Sequence, residues 1–252
     1  MTAPTKPPTL LTFAPMVDSE TTRLLCRWYG IDHIEADHLF GWVSLLTLLH
    51  GGYGRVPLLH GDGLRLSGPR PVVDRFDLLA LPGRRLLPPW PDSAAVDADW
   101  QAYNGPFASA VATFAYHHLL PSRGLMAPVF AGPVPRAEAR IVPTAYPLLR
   151  GLFSVLLGLS PLRARAAEQH IRSVFAAIDR RLADRRPFLC GDRLTLGDIA
   201  LAGASAPLLQ PKGFGATMPP VDQMPPVIRD FIGKLRGHPT ARYVDRVYAE
   251  IQ

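Results

Sequence analysis

Apolar and polar positions follow two different rhythms along this chain, short and β-like at first, then long and helical. Thr9 to Ala14 (TLLTFA) is a short apolar, β-prone run closed by Pro15. Asp18-Ser19-Glu20 precedes a run with Leu24, Leu25, Trp28 and Tyr29 that stops at Gly30. An oxygen-bearing cap, acids in the first turn and a terminal glycine predict a helix there. Ile34 to Asp37 alternates like a half-buried strand. Phe40 to Leu49 is apolar, helical or irregular, and ends at Gly51-Gly52. Arg55 to His60 and Leu64 to Leu66 flank Gly61-Asp62-Gly63, which predicts a hairpin. Pro71 to Leu81 then reads as a helix with Val72, Val73, Phe76 and Leu79/Ala80 on one face. Strands interleaved with helices in this way imply a small α/β domain over residues 9–81.

Residues 82–96 carry four prolines and read as a linker, and residues 1–8 as a flexible tail. Beyond residue 97 the pattern is helical throughout, so 97–252 is expected to be an all-helical domain. The clearest helix runs from Leu162 to about Asp184, with Leu162, Ala166, His170/Ile171, Val174/Phe175, Ile178 and Leu182 as its apolar stripe. Thr195 stands three residues before Asp198 at the head of the apolar run Ile199 to Ala206, a variant of the capping box. Gly151 to Leu162 is among the longest uncharged apolar runs; its 12 residues include Pro161 and are too few to span a bilayer.

Composition narrows the function classes. The 252 residues are 48% hydrophobic and 19% charged, an ordinary globular balance. The formal net charge is +6, but only Lys6, Lys212 and Lys234 are lysines, and the arginines scatter over solvated helix faces. Trp28, Trp42, Trp90 and Trp100 are not spaced as a base-stacking platform, so no nucleic-acid partner is expected. Cys26 and Cys190 form no metal-ligand pair and read as two buried free thiols of a reducing, cytoplasmic compartment. The opening MTAPTKPPT lacks signal-peptide order, and the histidines show no HxxxH or HExxH arrangement, so neither a membrane partner nor a metal is expected.

Two segments carry a family resemblance. Arg55-Val56-Pro57-Leu58-Leu59 resembles the (K/R)-V-P-x-L element of the glutathione transferase superfamily. Phe188-Leu189-Cys190-Gly191-Asp192-Arg193-Leu194-Thr195-Leu196-Gly197-Asp198-Ile199-Ala200 is similar to its F-L-x-G-D-x-x-[ST]-x-x-D-[IL]-A signature. The resemblance covers roughly residues 9–250. It implies a thioredoxin-like N-terminal domain followed by an all-α C-terminal domain, a homodimer, and glutathione or another low-molecular-weight thiol as cofactor. It further implies a cis Val56–Pro57 bond that frees backbone groups for the cofactor, with Arg55 beside it.

Ser19-Glu20 and Arg23 stand where a bacterial branch of the family has a Cys-Glu pair and an arginine, so Ser19 becomes the candidate catalytic residue, steadying a thiolate at a helix N-terminus. The family's acid–Ser pair for the γ-glutamyl carboxylate falls on Gly68-Pro69, leaving Ser67 and Arg70 as substitutes. Asp18, Tyr116 and His117 are the residues expected in the pocket for a small apolar electrophile. The leading expectation is conjugation of a thiol to that electrophile. The alternatives are a non-catalytic ligand-binding or interaction protein, or a glutathione-independent enzyme using Asp18, Arg70 or His117 as acid or base.

Overall fold

In a computed structural model, which describes residues 6–61, 63–89 and 92–251, the four short apolar segments of the first half pair into one mixed sheet. Its strands are β1 (Thr9–Thr12), β2 (Ile34–Asp37), β3 (Leu58–Gly61) and β4 (Leu64–Ser67), in the order β2-β1-β3-β4. β1 runs parallel to β2 and antiparallel to β3, and β4 returns antiparallel to β3 as the hairpin expected. Asp62 of that turn, Trp90 and residues 1–5 of the expected tail lie outside the described residues. Strand periodicity divides the apolar side chains between two faces. Leu10 and Leu59 meet Cys26 on one, while Leu11 and Leu58 join the main core.

α1 (Val17–Tyr29) makes the crossover between the parallel pair β1 and β2. It ends at Gly30, whose φ of 65° suits a residue without Cβ. Its start differs from expectation: Met16 is the N-cap and no side chain caps it, so Asp18 and Ser19 fall inside the first turn. α2 (Trp42–Leu49) packs on β1, and α3 (Pro69–Phe76) packs beside α1. α3 does not continue to Leu81, because Asp77 turns inward. Its carboxylate accepts from the Tyr29 hydroxyl at 2.8 Å and from the Leu86 amide at 2.5 Å.

The same contact alters the linker. Leu86 is fully buried and its carbonyl accepts from Leu196 N at 3.2 Å. Trp28 and Arg84 exchange two further bonds, Trp28 Nε1 to Arg84 O (2.7 Å) and Arg84 Nη1 to Trp28 O (2.6 Å). The proline-rich segment is thus tied to both domains, and α4 (Asp92–Ala102) already begins within it. A π-helical turn, Tyr103–Phe107, passes into α5 (Ala108–Leu119). α6 (Arg123–Ala131), α7 (Arg136–Leu156), α8 (Pro161–Arg181), α9 (Leu196–Leu209), α10 (Pro226–Arg236) and α11 (Pro239–Ile251) complete the helical domain. The run Gly151 to Leu162 ends α7 and opens α8; among the described residues no single helix is long and apolar enough to cross a membrane.

α9 is buried along its whole length and touches α1, α4, α5 and α11. A Cβ at Gly203 would meet Thr21 Oγ1 at 2.6 Å, so α1 approaches α9 only because position 203 has no side chain. α8 buries Ile171, Phe175 and Ile178 as expected, but its first turns present Ala164 and Ala167 to the core in place of Leu162, which is 79% exposed, and Ala166. Small alanines at 164 and 167 form the start of that stripe, where α8 runs against α5. Cys26 is a buried free thiol as expected, whereas Cys190 is only half-buried and polar in its surroundings, with Arg181 Nη2 at 3.4 Å and Asp99 Oδ2 at 3.7 Å.

Two buried acids organise the core. Asp198 accepts from Leu189 N (2.8 Å), Thr195 N (2.6 Å), Thr195 Oγ1 (2.6 Å) and the Tyr243 hydroxyl. Glu20 accepts from Arg23 (3.1 Å), Gly215 N (3.1 Å) and the Tyr248 hydroxyl (2.8 Å). Arg23, itself 2% exposed, also lies 2.5 Å from Glu35 and 3.5 Å from Asp37. Three carboxylates around one guanidinium leave an excess of negative charge. Burial first, and then the Glu35 charge, push the Asp37 carboxyl up to about 7 against the pull of Arg23 and His38.

Two stability predictions follow from these acids. Asp198→Ala strands four buried donors and should cost about 3–5 kcal/mol in urea unfolding; a loss below ~1 kcal/mol would contradict the role given to Asp198. The stability that Asp37 contributes is complete below the unfolded carboxylate pKa of about 3.9 and is lost as pH rises through about 7. Asp37→Asn should therefore exceed the wild type by on the order of 2 kcal/mol at pH 8 and match it near pH 4. A difference that stays constant across that range would refute the assignment.

Candidate functional site

A cavity of ≈ 440 Å3 lies between the start of α1 and the helices α5, α6 and α7. Sequence accounts for the hollow. Ala108, Ala112 and Ala115 recur on one face of α5 at helical spacing, and small side chains there leave space that larger ones would fill. Pro15, Met16, Val17 and Asp18 close it from the β1–α1 turn, and Leu156 and Leu157 from the end of α7. Aromatic rings make a continuous wall around Phe153. Tyr116 stacks on it at 5.1 Å and 7°, Phe13 lies 5.6 Å away, and Phe40 is tilted at 5.2 Å.

The polar lining is sparse: Asp18, Asn104, Ser109 and Tyr116. Asn104 reaches the wall because the helix widens into the π turn Tyr103–Phe107, within which Pro106 has no amide hydrogen to donate. Its side chain hydrogen-bonds Asp18. Burial raises the Asp18 carboxyl above the usual carboxylate range, and the bond from Asn104 offsets part of that rise. Burial likewise raises the Tyr116 phenol. Outside the cavity Glu138 fixes α7 to the first domain, accepting from Leu39 N at 2.8 Å and meeting His38 Nδ1 at 2.6 Å.

The residues expected at the site divide between two places. Asp18 and Tyr116 line the cavity. His117 does not; it is half-buried and stands edge to face with His118 at 5.0 Å. Ser19 is fully buried without lining the cavity, and its hydroxyl has no hydrogen-bond partner among the described residues. The earlier start of α1, at Val17, accounts for this, with Val17 and Asp18 at the wall and Ser19 turned inward.

The thiol-binding expectations meet a second obstacle. Val56–Pro57 is cis, and among the described residues nothing bonds to the Val56 backbone. The groups meant to hold the carboxylate are engaged elsewhere, however. Ser67 Oγ donates to Gly52 O at 3.2 Å, and Arg70 donates to Asp74 (2.9 Å) and Asp97 (2.7 Å). Gly68 spends its amide on Pro57 O at 2.8 Å, and Pro69 at the first position of α3 has none. Arg55 is exposed, and neither it nor Val56, Pro57, Ser67 or Arg70 lines the cavity. These residues fit glutathione poorly: its backbone cradle is present, but at its carboxylate site Ser67 is bonded to Gly52 and the charge of Arg70 is already met by Asp74 and Asp97. Among the described residues no group of three His, Cys, Asp or Glu side chains could hold a metal ion.

Sequence reasoning missed Asn104 and the aromatic wall of Phe13, Phe40 and Phe153. The signal for Asn104 was an Asn-Gly-Pro triplet inside a helical stretch. No comparable signal joins the three phenylalanines, which come from separate elements.

Comparison with known proteins agrees with the architecture. Residues 160–205 match the family model for the glutathione S-transferase C-terminal domain. Among solved structures, a glutathione S-transferase from Sinorhizobium meliloti 1021 is 18% identical over 95% of this chain and 92% of its own, with a TM-score of 0.55. Glutathione S-transferase-I bound with lactoylglutathione is 16% identical over 96% and 99%, at 0.57. The β-etherase LigF from Sphingobium sp. strain SYK-6 is 15% identical over 95% and 98%, also at 0.57. No curated protein matches the sequence. The chain thus shares the fold of these glutathione S-transferases, and its residues 160–205 match that family's C-terminal domain.

Proposed function

We propose that the protein binds a small, largely apolar molecule in the cleft between its two domains and does so without glutathione. One observation carries this reading: a cavity of ≈ 440 Å3 with few polar groups, in a chain whose thiol-site substitutes Ser67 and Arg70 are already bonded to other partners. The volume lies in the range of small-molecule sites, and an apolar wall with a few fixed polar groups is how such sites combine affinity with orientation. Of the three residues considered for acid–base work, Asp18 alone lines the cavity. The relatives include both a transferase bound with a glutathione derivative and a β-etherase, so a shared fold leaves the ligand to be argued from the cleft itself.

Two measurements test the reading. Glutathione at ~10 mM should leave the melting temperature unchanged, whereas even a ~1 mM ligand would stabilise by about 1.4 kcal/mol, or roughly 3 °C for a chain of this size. A shift of that size would return the protein to thiol chemistry. The neutral fluorophore N-phenyl-1-naphthylamine should bind with micromolar affinity, and Ala112→Trp, which fills the cavity from α5, should weaken it at least ~10-fold while the protein stays folded. Undetectable binding, or binding indifferent to Ala112→Trp, would refute the proposal.

A further inference from the structure

Resting on the reading of the cleft as a ligand site, we infer that its ligand is an organic cation: an amine on an apolar body, its ammonium paired with Asp18. The balance of charge in the wall carries this. Asp18 is the one carboxylate lining the cavity, and among the described residues no Lys, Arg or His lines it with Asp18. Nor does half-buried Asp18 belong to any ion pair among the described residues, although Glu20 of α1 and both acids of β2 crowd around Arg23. Buried carboxylates are ordinarily paired or heavily hydrogen-bonded. Asp198 and Glu20 obey that rule with protein donors, whereas Asp18 has Asn104 as its side-chain partner.

Aromatic faces complete the recognition. Phe13, Phe40, Tyr116 and Phe153 line the same space, and the negative face of an aromatic ring attracts a cation. One unpaired acid, no resident base and several rings form an environment that favours an ammonium group over a neutral or acidic one. An anion would meet the Asp18 charge with no cation to offset it. The amine's apolar body would occupy the hollow left by the α5 alanines.

A matched set separates this inference from the broader reading: 1-naphthylmethylamine, 1-naphthalenemethanol and 1-naphthoic acid, each titrated against bound N-phenyl-1-naphthylamine at pH 7.5. The wild type should release the probe to the amine at a concentration at least ~10-fold below that needed for the alcohol, with the acid weakest. In Asp18→Asn, shown to be folded by its circular dichroism, the advantage of amine over alcohol should disappear. A wild type that prefers the alcohol or the acid overturns the inference while leaving the apolar site intact, and no variant is needed to see it. An amine preference that persists in Asp18→Asn also overturns it. A protein that binds neither the probe nor any of the three overturns both readings.

Discussion

A guanidinium buried among carboxylates holds this molecule together. Arg23 joins Glu20 on its own helix to Glu35 and Asp37 on β2, and its Nη1 donates to Ala14 O at 3.3 Å. Glu20 in turn receives Tyr248 from the last helix and the Gly215 amide. One cluster therefore fixes the sheet, the first helix, and the end of the chain with respect to one another. Opening such a cluster strands charges away from water, which costs far more than a surface ion pair. Because Ala14 immediately precedes the turn that enters the cavity wall, the site inherits its position from this cluster.

The helical domain repeats the device with other residues. Asp77 fastens the proline-rich segment to α1 through Tyr29, and Asp198 fastens the approach to α9 through Thr195, Leu189 and Tyr243. Each acid stands where chain segments change direction and where backbone amides would otherwise lack partners. The contrast with Asp18 is physical. The structural acids are surrounded by donors from several elements, while Asp18 faces a hollow, with Asn104 of the π turn as its side-chain partner.

Much of the architecture was legible because it depends on local rhythm. The strand at Ile34–Asp37, the glycine-bounded hairpin and the stop at Gly30 are short-range matters and stand as read, although burial along that strand does not alternate and Ile34 is 45% exposed. The Thr195–Asp198 motif was legible because a buried acid needs a particular set of neighbours in sequence. The site was less so. Asp18-Ser19-Glu20 resembles a helix cap, but α1 begins earlier, since Glu20 is drawn inward by partners 3 to 228 positions away. Arg70 looked free because its partner Asp97 lies on α4, a different domain. The alanines of α5 do recur at helical spacing, but the rings that complete the cavity come from distant segments, and no local pattern joins them. The net charge of +6 proved a poor guide as well, since among the described residues no Lys or Arg lines the cavity.

The absent side chain at Gly203 has an evolutionary consequence. With α1 resting on α9 at a distance that admits no Cβ, the half of the cavity built on those helices cannot be widened or narrowed by ordinary substitution. The opposite half is a different case: Leu156 is 56% exposed at the end of α7, whose fastening to the first domain runs through Glu138. Substitutions that reshape the cavity are therefore more readily accommodated at the exposed end of α7 than where α1 rests on α9.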